Sequence, residues 1–116
     1  AAGYDETGMA LVIHEFAHKI DMLDGEVDGI PPLRGDARDT FAREVNAAYA
    51  DFCKRVDDGE DTAIDPYAAE LIDEFFAVSC EVFFAEPELL RAEYPAYYAQ
   101  LMAYFGVDPE AGRLLR

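Results

Sequence analysis

The chain of 116 residues contains two histidines, four apart, with a glutamate after the first: His14-Glu15-Phe16-Ala17-His18. Residues i and i+4 share one face of a helix, so two imidazoles at this spacing converge on a single point. Neutral imidazole binds zinc, and the adjacent Glu15 can reach a zinc-held water without ligating the metal. Zinc lowers the pKa of such a water toward roughly 7, which lets a carboxylate take its proton. The resulting carboxylic acid can then protonate a leaving amine. The H-E-x-x-H pattern therefore points to metal-assisted hydrolysis, with His14 and His18 as ligands and Glu15 as general base. The plainer alternative is two unconnected histidines on one helix.

A catalytic zinc needs a third protein ligand and an open fourth position. There is no third histidine, so that ligand is a carboxylate or a thiolate. Asp24 lies six residues after His18, where some zinc peptidases place a ligand after a glycine turn, but Asp21 stands in the turn position here. Glu44 is a second candidate, or a solvated face residue. Glu70, Asp73, Glu74 and Glu81 lie on the most apolar stretch of the chain. An ionised carboxylate on a largely buried helix is costly unless paired or bound to a cation, which favours this group. Glu74 and Glu81 are seven apart and share a face, so spacing does not choose between them. The motif favours zinc, although two histidines and a carboxylate also suit iron. A closed structural zinc site using Cys53 and Cys80 is discounted, because neither lies in a C-x-x-C pair.

These residues need helices to hold them. Helical spacing predicts a first helix from about Gly8 to Leu23, capped by Asp5 or Thr7 and closed at Gly25, with Ala10, Leu11, Phe16, Ala17 and Ile20 as its apolar positions. Gly29, Pro31 and Pro32 make the stretch from Gly25 to Gly35 a loop. Phe41, Val45, Ala48, Phe52 and Val56 mark a second helix from Asp36 or Asp39 to Val56. After the polar break at residues 57–61, Asp65 reads as an N-cap with Pro66 at the first helical position. A third helical stretch lies within Tyr67 to Ala85, with a break or kink inside it. It is apolar nearly all round and therefore expected to be buried, and Pro87 is expected to end it. A last helix runs from Pro95 to Phe105 and closes at Gly106. Its tyrosines, Tyr97, Tyr98 and Tyr104, read as core packing before they read as a binding surface. No strand is evident, so the expected fold class is mainly α.

Composition sets the outer bounds. Hydrophobic residues make up 52%, which suits one packed domain over residues 1–116. The net charge of -16, from 9 Lys and Arg against 25 Asp and Glu, repels phosphate backbones and anionic lipid, so neither nucleic acid nor membrane is an expected partner. Simple solubility is the plain reading of that charge. Two cysteines make no disulfide framework, which favours a reduced, cytosolic setting. No stretch approaches the length of a membrane span, and the start does not read as a signal peptide.

His14-Glu15-Phe16-Ala17-His18-Lys19-Ile20-Asp21 closely resembles the H-E-F-A-H-K-[LI]-D segment of the Mlc titration factor A family of zinc peptidases. Ile64-Asp65-Pro66-Tyr67-Ala68-Ala69 resembles its I-D-x-Y-A-A segment, and Glu74-Phe75-Phe76-Ala77-Val78 its E-x-F-A-V segment. Phe83-Phe84-Ala85-Glu86-Pro87-Glu88-Leu89 resembles its F-F-x-x-P-E-L segment. The resemblance covers roughly Gly8 to Phe105. It implies His14, His18 and Glu74 as the ligands of Zn2+ and Glu15 as the base. It also implies Tyr67 near the metal, where a phenol could stabilise the oxyanion. Asp21 could orient a ligand histidine through its free ring nitrogen. The activity implied is aminopeptidase-like cleavage of small peptide or protein substrates in the cytoplasm. The alternative implied is a regulatory protein that sequesters a transcriptional repressor, with little or no catalysis. Members of that family are longer and carry sheet structure before the H-E-x-x-H helix. Only 13 residues precede His14 here, so the expectation is the helical C-terminal catalytic portion of a zincin-like metallopeptidase, with weak or no activity of its own.

Overall fold

The apolar residues of the second helix recur every three or four positions, and burying that stripe organises the chain. The computed structural model describes residues 8–115. Its elements are α1 (Met9–Met22), α2 (Gly35–Asp57), a 3₁₀ turn (Pro66–Ala69), α3 (Ile72–Ala85), α4 (Pro87–Glu93) and α5 (Pro95–Phe105). Two short strands follow, β1 (Val107–Asp108) and β2 (Arg113–Leu114). They pair antiparallel, with Val107 opposite Leu114 and Asp108 opposite Arg113. The architecture is mainly helical, as the periodicity predicts.

Phe41, Val45, Ala48 and Phe52 of α2 are all buried. They meet α3, whose residues from Phe75 to Cys80, with Val82 and Phe83, are buried without a break except at Glu81. The Phe75 ring stacks on Tyr97 of α5, with centroids 5.6 Å apart, and tilts against Phe52 at 5.2 Å and Tyr49 at 5.3 Å. Tyr97 and Tyr98 are fully buried, so these two rings are core and not a surface. Offset and edge contacts of this kind add to the burial of large rings.

Punctuation sets the element ends. Asp65 accepts a hydrogen bond from the Tyr67 amide at 3.1 Å and Pro66 takes the first position of the 3₁₀ turn. The chain then goes extended at Leu71, so the stretch expected as one interrupted helix is a 3₁₀ turn followed by α3. Pro87 ends α3 as expected, but it also starts α4, an element the sequence reading lacked. Proline is pre-organised for a helix's first turn, where its missing N–H costs nothing. Gly25 and Gly106 both take positive φ, closing α1 and α5. The expected caps Asp5 and Thr7 lie outside the described residues.

Helix α1 departs from expectation on one face. Ala10, Ala17 and Ile20 are buried, but Leu11 and Phe16, read as apolar-face residues, are 60% and 64% exposed. Among the helices α1 packs on α3. An apolar groove of about 470 Å³ runs beside it, bounded by Ile13, Ala17, Cys80, Phe84 and Phe105. Among the described residues, no helix is long and apolar enough to cross a membrane.

Candidate metal centre

His14 and His18 lie one turn apart on α1, and the turn brings their Nε2 atoms to 3.1 Å. Glu74, in the first turn of α3, closes the triangle. Its Oε1 lies 3.1 Å from His14 Nε2 and its Oε2 lies 3.3 Å from His18 Nε2. A tetrahedral ion with bonds of about 2.0–2.1 Å sets its donors about 3.3 Å apart, so the two Nε2 atoms, and each of them with its nearer Glu74 oxygen, have the separation of ligands around one ion. Two imidazoles and a carboxylate are also the right donor chemistry. Among the described residues this is the group that could hold a metal. The three side chains are partly exposed.

The remaining candidates fall elsewhere. Asp24 accepts from the Glu26 amide in its own turn. Glu44 sits on α2 beside Arg43. The Asp73 carboxylate is 3.9 Å from His18 Nδ1, on the side of the ring away from the triangle. Glu81 meets His14 Nδ1 at 2.5 Å, likewise on the far side of a ring. The two cysteines are free; Cys80 is buried, and the Cys53 thiol faces the Ala69 carbonyl. Neither joins the triangle.

Asp21 takes a different role from the one expected. It is fully buried, and its two carboxylate oxygens accept from the Gly29 amide at 3.0 Å, with Asp28 N–H adding a bond at 3.1 Å. It therefore holds the α1–α2 loop, while Glu81 occupies the free nitrogen of His14. Glu81 is among the acids that the sequence offers as a ligand, but spacing does not say which ring atom it meets. Burial raises the Asp21 carboxyl from 3.8 to about 6, against the two amide bonds that lower it. Gly29 takes φ 77°, and a Cβ there would lie 3.1 Å from the Ile72 carbonyl oxygen and side chain. Asp21, Gly29 and Ile72 thus link the end of α1 to the start of α3, two residues before Glu74. Arg38 of α2 anchors the same loop through Asp28 at 2.8 Å.

Glu15 is exposed, on the solvent side of α1 next to His14. Tyr67 is about half-exposed, so it is not packed into the core. Burial, then the charges of Glu81 and Glu74, raise its hydroxyl to about 12, which places it in the field of both carboxylates and keeps it protonated at neutral pH. The Tyr49 hydroxyl fixes the 3₁₀ turn that carries it, donating to the Ala69 carbonyl at 2.6 Å.

Known proteins bear on this arrangement. A family model described as glucose-regulated metallo-peptidase M90 matches residues 1–106. The chain is 36% identical over 111 residues to Mlc titration factor A of Yersinia pestis (strain Pestoides F), covering 93% of this chain and 41% of that protein. The same identity and coverage hold for Mlc titration factor A of Yersinia pseudotuberculosis serotype O:1b (strain IP 31758). The chain therefore spans about two fifths of the length of the curated relatives it matches.

Proposed function

Because the chain belongs to the glucose-regulated metallo-peptidase M90 family, we propose that it is the zinc-binding part of a zinc-dependent, aminopeptidase-like peptidase of the cytoplasm. The observation that carries this reading is that the Nε2 atoms of His14 and His18 lie 3.1 Å apart, each with one oxygen of the Glu74 carboxylate 3.1–3.3 Å away. These three residues would hold the ion. Zinc in that position supplies a Lewis acid for a peptide carbonyl and a water acidified toward roughly pKa 7.

The rest of the chemistry belongs to the chain. Glu15, adjacent to a ligand and open to solvent, takes the proton of the attacking water and returns it to the leaving amine. Tyr67, protonated at neutral pH, donates a hydrogen bond to the carbonyl oxygen as charge develops there. Glu15→Gln tests the reading: zinc content should persist while peptide hydrolysis is lost by a factor of about 100 or more. Undiminished hydrolysis by that variant would remove Glu15 from the mechanism.

A second reading has its own support. The relatives are named for titrating Mlc, and α1 exposes Leu11, Val12 and Phe16 beside an apolar groove. Contiguous exposed apolar surface suits a protein partner. On this reading the chain binds a transcriptional repressor of the Mlc kind and catalysis is secondary. Capture of purified repressor by wild type and Glu15→Gln separates the two. Equal capture by both, with no hydrolysis by either, favours sequestration.

A further inference from the structure

We propose that Glu81 is a positioning residue for the metal centre: it accepts a hydrogen bond from Nδ1–H of His14 and so turns the Nε2 lone pair toward the ion. The inference rests on the metal-site reading above and adds a residue to it. Among the residues of α3 from Phe75 to Phe83, Glu81 is the one that is not buried with the rest, and its side chain is still only 12% exposed. A carboxylate in so apolar a setting needs a partner to offset its lost hydration. The geometry provides His14, whose Nδ1 lies 2.5 Å from Glu81 Oε2.

The same ring has its other nitrogen 3.1 Å from Glu74. The two nitrogens of an imidazole point away from each other, so the two carboxylates cannot share one ion through His14. Glu74 stands on the metal side and Glu81 behind the ring. A neutral imidazole carries one N–H, and a carboxylate at Nδ1 selects the tautomer with the proton there. That leaves Nε2 free, on the side where His18 Nε2 and Glu74 converge. The charge on Glu81 also makes the ring a stronger donor, as outer carboxylates do in metal sites. The seven-residue interval between Glu74 and Glu81 is two helical turns, so one face of α3 carries both acids, and His14 reaches between them.

The test needs readouts other than activity. Long-range 1H–15N NMR on the zinc-free wild-type chain, at a pH where the ring is neutral and no metal dictates the tautomer, should show His14 with its proton on Nδ1; a proton on Nε2 would overturn the proposal. Zinc affinity, measured against a competing chelator, should fall by about 10–100-fold in Glu81→Ala, and by less in Glu81→Gln, which keeps an acceptor but not the charge. Glu88→Gln, an equal charge change on α4, should leave affinity unchanged. Wild-type affinity in both Glu81 variants, or an equal loss in Glu88→Gln, would overturn the assignment. If Glu81→Ala does not fold by circular dichroism, the wild-type tautomer and the Gln variant decide. A wild-type chain that takes up no zinc would refute the metal site itself, and is thereby distinguished from failure of Glu81 alone.

Discussion

Helices α1 and α2 are written in the same periodic apolar pattern and end in different surroundings. In α2, Phe41, Val45, Ala48 and Phe52 are all inside, locked against the rings of Phe75, Phe76 and Tyr97. In α1, Ala10, Ala17 and Ile20 are inside, while Leu11, Val12 and Phe16 stay 60–64% exposed. The difference is in the number of neighbours each helix finds. α2 meets α5, α3 and the 3₁₀ turn, whereas α1 lies on α3. An apolar stripe buries only as much surface as other elements cover. The lesson is that stability resides in the aromatic half of the molecule, and the candidate metal centre on the half that is least covered. Function concentrated in weakly supported elements is a general pattern.

Substitution can break that comparison at its strong end. Phe75→Ala removes a ring buried among Tyr49, Phe52 and Tyr97 and should cost about 3–5 kcal/mol in denaturant unfolding. A loss below about 1 kcal/mol would mean that the aromatic half is not where stability lies. Next in size is the link between the halves. Gly29→Ala forces a side chain into positive φ and against the Ile72 carbonyl, for an expected loss of about 1–3 kcal/mol. Since Ile72 precedes Glu74 by two residues, zinc affinity should weaken in the same variant, and unaltered affinity would uncouple the loop from the site.

A smaller effect is expected from Asp21, which sits at that link. Its carboxyl is raised from 3.8 to about 6 because burial disfavours the charged form. The folded state therefore holds this proton more tightly than the unfolded chain does. The contribution is present in full below about pH 4 and is lost as pH rises through 6. Asp21→Asn, which cannot titrate, should flatten the stability profile of the zinc-free chain between those limits. An unchanged slope would show that Asp21 is not the group responsible. The smallest change belongs to the uncovered face: Phe16→Ala should move unfolding by no more than about 0.5 kcal/mol, and a larger loss would mean that α1 is better covered than its exposure indicates.

Much of this was legible before any coordinates. The helices α1, α2 and α5, the cap at Asp65 and the closing glycines at 25 and 106 follow from periodicity and from the backbone preferences of Asp, Pro and Gly. Helix α4 was not, because Pro87 was read as a stop, and a proline that ends one helix is also suited to begin another. The two-residue ladder after Gly106 is too short to leave a pattern. For the candidate centre, the residue types and the resemblance singled out His14, His18 and Glu74, and the packing of α3 on α1 brings them within 3.3 Å. The expectation that Asp21 would brace a histidine gave way because the nearby loop offers it two amides.

By itself the sequence determined what a helix determines locally: that residues 14 and 18 share a face, that residues 74 and 81 share another, and where α1, α2 and α5 stop. Periodicity acts over a few residues, so these conclusions needed nothing distant. Only the tertiary structure decided which carboxylate meets which nitrogen, with Glu74 at the two Nε2 atoms and Glu81 at Nδ1 of His14. Those pairings join residues about 60 apart in the chain. They depend on the angle and height at which α3 crosses α1, and that is fixed by packing and by the Asp21–Gly29–Ile72 link, not by the spacing within either helix.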